Sequence, residues 1–257
     1  MTSPTRGLLF DFGGTLDHPH HWLDRFLRHY RQAGIELSRA DLDAAYAHAT
    51  RTAYAADAPL HRRGLHELLR FLVAHQFDHL RSQGPAEVRE RLLSLNQRSD
   101  RVAERIAADF AEESAHGLAR SRDLMRELSR EFKLGVVSNF YGNLEVILVE
   151  AGIRELIQVA IDSKHLGIFK PDERIFVAAL KALDLPHNRV AVVGDSLHKD
   201  CAPARKLGMH AIWLRAGRTA HAGATHEREA AAIAHQTIDS LEDLKDLKWE
   251  TAESAAQ

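Results

Sequence analysis

The chain has 257 residues, 45% of them hydrophobic, which is enough for a folded core and excludes general disorder. Lysine and arginine number 34 against 36 aspartates and glutamates, so the net charge of −2 offers no basic surface for nucleic acid. The single cysteine, Cys201, excludes an internal disulfide and a cysteine-based zinc site. Residues 1–7 lack the apolar stretch of a signal peptide, and no apolar run approaches the roughly 18 residues of a membrane span. The expectation is a cytoplasmic protein with neither a nucleic-acid nor a membrane partner. The sequence carries no signal for an oligomeric state.

In chain order, Leu8-Leu9-Phe10 is a short apolar run that breaks into Asp11-Phe12-Gly13-Gly14-Thr15, the pattern of a buried strand ending in a tight turn. From about His21 to His116 the pattern is helical throughout. Trp22, Phe26 and Tyr30 form one stripe, and Leu65, Leu68, Leu69, Leu72 and Val73 form another. Ser38 ahead of Asp41 reads as a helix N-cap, and Gly84-Pro85 punctuates the middle. After Ser121 the rhythm changes to strand and helix in alternation. Strands are expected at 134–137, 157–161, 190–193 and 211–214, with a last one opening at Ile238. Helices are expected at about 143–151, 171–183, 199–207 and 240–247, with the 217–234 stretch read as loop plus helix. The tail from Thr251 reads as frayed. This alternation predicts an α/β fold, a doubly wound parallel sheet covered on both faces. An all-α block of about 100 residues interrupts it after the first strand. The expected domains are residues 1–17 with 118–257 as an α/β core, and 18–117 as a helical cap closing over the strand ends as a lid.

Four strand ends or helix starts carry polar residues: Asp11; Ser138-Asn139; Lys170-Pro171-Asp172; and Gly194-Asp195 through Asp200. In a parallel sheet they converge on one edge. Carboxylates, a hydroxyl and an ammonium in one pocket suit phosphoryl transfer. Asp11 and Asp195 offer the hard oxygens that Mg²⁺ prefers. Lys170 and the Ser138 hydroxyl can hold phosphoryl oxygens, leaving Asp11 to attack phosphorus.

With these residues in place, the chain resembles the haloacid dehalogenase-like (HAD) hydrolases, in the branch with a helical cap inserted after the first motif. The resemblance covers residues 7–17 and about 118–247, a Rossmann-like core. It implies Asp11 as nucleophile and Lys170 as the second catalytic group. It implies Ser138, Asn139, Lys170 and Thr15 around the phosphate. A magnesium ion would be held by Asp11, the Gly13 carbonyl, Asp195 and Asp200. The implied substrate is a small phosphorylated metabolite.

One departure matters. Phosphatases of this family usually carry a second aspartate, the general acid and base, two residues after the nucleophile, and here that residue is Gly13. Asp17 and one of His18, His20 and His21 are the candidate substitutes; the three histidines could instead form a metal site, and hinge and surface residues are the simpler reading of them. Arg62 and Arg63 could meet an anionic substrate from the cap, although an exposed charged pair is the simpler reading. Two rivals stand beside the phosphatase reading. One is a metal-independent 2-haloacid dehalogenase in which Asp11 attacks carbon. The other is a catalytically weak ligand-binding protein, which only Gly13 supports. A phosphonate-cleaving enzyme with a cap lysine is excluded, because no lysine precedes Lys133.

Overall fold

The computed structural model describes residues 6–55, 60–215 and 224–246. The chain divides into two compact units, Met1–His20 with His116–Gln257, and His21–Ala115.

The second unit is helical. Helix α1 (Trp22–Gln32) starts after His21, whose Nδ1 accepts the Leu23 N–H at 3.2 Å. Its apolar stripe of Trp22, Phe26 and Tyr30 is buried, as the spacing predicts. Helix α2 (Arg39–Ala55) opens at Ser38, whose Oγ accepts the Asp41 N–H at 3.1 Å. Helix α3 (Leu65–Gln83) buries the expected face of Leu65, Leu68, Leu69, Leu72 and Val73. Gly84-Pro85 separates it from α4 (Ala86–Ser94). Helix α5 (Ser99–Leu128) begins in this unit and continues into the other. Arg25 is fully buried on the same face of α1 as Trp22, Phe26 and Tyr30, where its charge is unexpected. A buried charge is costly unless paired and hydrogen-bonded. Here the guanidinium lies 3.7 Å from the Phe110 ring centre and donates to the Phe110 carbonyl at 3.0 Å and to Ser114 Oγ at 2.7 Å. Glu113 supplies the countercharge at 3.3 Å.

The other unit is built on six parallel strands in the order β3-β2-β1-β4-β5-β6. They are β1 (Arg6–Phe10), β2 (Phe132–Ser138), β3 (Val159–Asp162), β4 (Val190–Gly194), β5 (His210–Leu214) and β6 (Gln236–Ile238). Leu8, Leu9 and Phe10 are buried completely, because helices cover both faces and no polar side is needed. Phe10 pairs with Val136 on one side and Val193 on the other. Asp11 therefore leaves the sheet at the centre, with its N–H bonded to the Val193 carbonyl at 2.9 Å. Ser138 and Gly194 end the two flanking strands at the same edge.

Connecting helices are α6 (Leu144–Glu150), α7 (Ser163–Leu166), α8 (Arg174–Leu183), α9 (Ala202–Lys206) and α10 (Ala224–Ile233). Several boundaries differ from expectation. The helix expected from Pro171 starts at Arg174, because the Asp172 carboxylate accepts the Arg174 N–H at 3.0 Å and ends the preceding loop. The helix expected from Lys199 begins as a wide turn over Leu197–Cys201, with the Cys201 N–H reaching the Ser196 carbonyl at 3.3 Å. Ile238 closes a strand instead of opening one, and the helix expected after Ser240 is a tight 3₁₀ stretch, Leu241–Asp246. The tail from Thr251 lies outside the described residues, as does the first part of the 217–234 stretch.

Candidate active site

The nucleophile candidate Asp11 sits between two donors. Ser138 Oγ, from the end of β2, donates to Asp11 Oδ1 at 3.0 Å. Lys170 Nζ donates to the same oxygen at 2.6 Å and to Asp200 Oδ1 at 2.6 Å. Asp11, Asp195 and Asp200 are all buried, and each places a carboxylate oxygen within 4.8 Å of the others. The structure thus brings together Asp11, Ser138, Lys170, Asp195 and Asp200 from four separate segments.

Each side chain is held by a local device. Asn139 accepts the Lys170 N–H on Oδ1 at 2.7 Å and donates from Nδ2 to the Lys170 carbonyl at 2.9 Å. Its amide is engaged with the backbone of Lys170, a different task from the phosphate contact expected of it. Asp200 takes a second bond, from the Ser196 N–H to Oδ2 at 3.1 Å. A Cβ at Gly194 would lie 2.4 Å from that oxygen, so only glycine leaves room for the Asp200 carboxylate. Three further positioning residues were not among the sequence candidates. Trp213 donates its indole N–H to the Asp195 carbonyl at 3.0 Å. Asp162 accepts the N–H groups of Gly142 and Leu144 at 2.8 and 3.2 Å, and Ser163 accepts that of Phe140 at 3.0 Å. Together Asp162 and Ser163 fix the loop that follows Ser138-Asn139. The polar Asp-Ser step at a strand end was the available clue.

The turn after Asp11 departs from helical geometry. Gly13 is extended (φ −80°, ψ 118°) and Gly14 is left-handed (φ 82°). Asp17 is completely buried, and its Oδ1 accepts the Gly14 N–H at 2.8 Å. Thr15 does not join the cluster. Its buried Oγ1 makes no hydrogen bond, and the residue lines a separate cavity of about 430 Å³ with His18, His20, Arg120 and Glu242. In the helical unit, Arg63 pairs with Glu67 at 2.9 Å, an exposed i,i+4 pair.

The electrostatics favour a cation. Burial alone would lower the Lys170 pKa, but the carboxylates of Asp11 and Asp200 outweigh it and hold the ammonium above its ordinary value. Burial raises the Asp200 pKa, Lys170 opposes that, and Asp11 adds to it. Three buried carboxylates are gathered around one buried ammonium. Their all-oxygen donor set fits a hard dication.

This is the fold and strand-edge site of a hydrolase family. The family model of the haloacid dehalogenase-like hydrolases matches residues 5–208, and the chain belongs to that family. The haloacid dehalogenase-like hydrolase domain-containing protein 3 of Bos taurus is 37% identical over 113 residues, 43% of this chain and 45% of that protein. The phosphoserine phosphatase of Thermus thermophilus is 31% identical over 132 residues, 50% of this chain and 53% of that enzyme. In these matches the chain spans about half the length of its curated relatives. Among solved structures, the putative HAD-hydrolase YfnB from Bacillus subtilis has the same fold, with a TM-score of 0.54 at 17% identity over 95% of this chain and 98% of that one. Among the described residues no helix is long and apolar enough to cross a membrane.

Proposed function

We propose that this hydrolase is a Mg²⁺-dependent phosphatase of small phosphorylated metabolites that works through an aspartyl-phosphate on Asp11. The observation that carries the reading is the joint hold of Ser138 and Lys170 on Asp11 Oδ1, beside the Asp195 and Asp200 carboxylates. Phosphatases among the relatives support the same chemistry.

The ion would be held by Asp11, Asp195, the Gly13 carbonyl and Asp200; when bound, it neutralises charge on the phosphoryl oxygens. The remaining work falls to the chain. Both bonds to Asp11 fall on Oδ1, so attack on phosphorus is assigned to Oδ2, with Oδ1 held and the carboxylate aimed. Ser138 Oγ and Lys170 Nζ then turn their donors to the transferring phosphoryl oxygens, where negative charge is densest. Asn139 keeps Lys170 in place during that exchange. The helical segment 18–117 enters this reading as the part that selects the substrate.

A metal-free dehalogenase reading fits less well, because Asp195 and Asp200 would then only repel the nucleophile. Purified protein assayed against a panel of phosphate esters, with Mg²⁺ and with chelator, tests the reading. Mg²⁺-dependent phosphate release is expected. Release of halide from a 2-haloacid with no phosphatase activity would overturn it.

A further inference from the structure

Phosphoryl transfer from an alkyl ester expels an alkoxide, which needs a proton as the phosphorus–oxygen bond breaks. A positioned acid is worth roughly 10²- to 10⁴-fold in that step. Residues 12–16, the turn beyond Asp11, hold no ionisable side chain. The next carboxylate, Asp17, is built into the turn. Its Oδ1 takes the Gly14 N–H at 2.8 Å, its own N–H bonds the Phe12 carbonyl at 3.2 Å, and the adjoining Leu16 carbonyl takes Ser121 Oγ at 2.7 Å. His18 Nδ1 accepts the His20 N–H at 3.0 Å, and the two rings lie 5.1 Å apart. Both line the cavity beside Thr15, whose lining includes none of Asp11, Ser138, Lys170, Asp195 or Asp200. His198, on the loop after β4, pairs with Glu229 at 3.2 Å. Among the described residues, Asp17, His18 and His20 are each engaged in contacts of their own, and none is seen at the Asp11 cluster.

We infer that the enzyme acts on acyl and aryl phosphates, and that its aspartyl-phosphate accumulates during turnover. The inference rests on the phosphatase reading above and names the substrate class of that same site. In the first step an Asp11 oxygen bonds to phosphorus, and the bond from phosphorus to the leaving oxygen breaks. The electron pair leaves on a carboxylate or phenolate, which is stable without a proton. In the second step a water oxygen bonds to phosphorus, and the bond to Asp11 breaks with its electron pair returning to the carboxylate. One water hydrogen stays on the phosphate, and the other passes to a phosphate oxygen or to solvent. A positioned base would speed that step. Without one on the turn, hydrolysis lags behind formation and the phosphorylated enzyme builds up.

The test is rapid-mixing kinetics of the full chain with Mg²⁺ on three probes: acetyl phosphate, p-nitrophenyl phosphate and glycerol 2-phosphate. Phosphorylation of Asp11 is read in parallel by intact-protein mass spectrometry. We expect a burst of p-nitrophenol matching the enzyme concentration, and a phosphorylated mass that hydroxylamine removes. We also expect kcat/KM at least about 100-fold higher for the acyl and aryl probes than for glycerol 2-phosphate. Asp17→Asn keeps an acceptor for Gly14 and should leave the aryl-to-alkyl ratio unchanged. A selective loss of alkyl turnover in that variant would make Asp17 the acid and overturn the inference. Comparable turnover of all three probes without a burst would overturn it too, while leaving the phosphatase reading standing. Failure on all three probes would overturn both.

Discussion

Asn139 grips Lys170 by its backbone, taking the N–H on one amide atom and giving a hydrogen to the carbonyl from the other, at 2.7 and 2.9 Å. The two residues belong to different segments, and this pair of bonds sets the height at which Lys170 Nζ meets Asp11 and Asp200.

Asn139→Ala removes both bonds and leaves the Lys170 peptide to water. Two hydrogen bonds of this kind contribute about 1–3 kcal/mol together. Urea unfolding should show that loss of stability. The kcat should fall by more than the stability change accounts for, because the ammonium is no longer aimed. Asn139→Asp keeps the acceptor and loses the donor, so it should lie between the two. Equal stability in all three proteins would contradict this role.

At Gly194, beside the cluster, a methyl group has no room. Its Cβ would lie 2.4 Å from both Cγ and Oδ2 of Asp200. Gly194→Ala should therefore displace that carboxylate from Ser196 and Lys170. The Mg²⁺ concentration giving half-maximal activity should rise by about 10-fold or more, the usual scale when support around a metal site is lost. An unchanged Mg²⁺ titration in a folded variant would separate Asp200 from the ion.

How much of this was legible in the sequence depends on the range of the interactions. The central strands showed as apolar runs because both of their faces are covered, and parallel strands bring their last residues to one edge. That rule placed Asp11, Ser138 and Asp195 together, while Lys170 and Asp200 lie further along the loops and were located by the order of the motifs. Helix α3 showed in its leucine spacing for a similar reason, since one face meets the core. The partners of Arg25 were invisible, because Phe110, Ser114 and Glu113 lie some 85 residues or more away. The tasks of Asn139, Asp162 and Trp213 were hidden likewise, since each is defined by a contact with a distant segment. The start of α8 was misplaced because proline is a good opening residue on local grounds, whereas the Asp172 carboxylate decides the boundary.

His210 and His235 stack at 4.8 Å at the edge of the sheet, where His235 Nδ1 accepts the Ala211 N–H at 3.0 Å. Burial pushes the His210 pKa down to about 4, with His235 adding to the effect and Gln236 opposing it. Burial, then Arg205, lowers that of His235. Both folded values lie below the unfolded value of about 6.5. As pH falls, the unfolded chain binds protons first, so this contribution to stability is complete above about pH 6.5 and is lost on the way down to about pH 4. The melting temperature should drop across that window. His210→Phe should flatten the drop, and an identical pH profile in the variant would assign it to other groups.

The central claim is that Asp11 is the covalent nucleophile, and Asp11→Asn tests it most directly. The amide is nearly isosteric, so circular dichroism should show an intact fold. Turnover of p-nitrophenyl phosphate with Mg²⁺ should vanish, because an amide cannot form the aspartyl-phosphate. A folded variant that keeps more than about a tenth of wild-type activity would contradict the covalent mechanism and with it the account of the site.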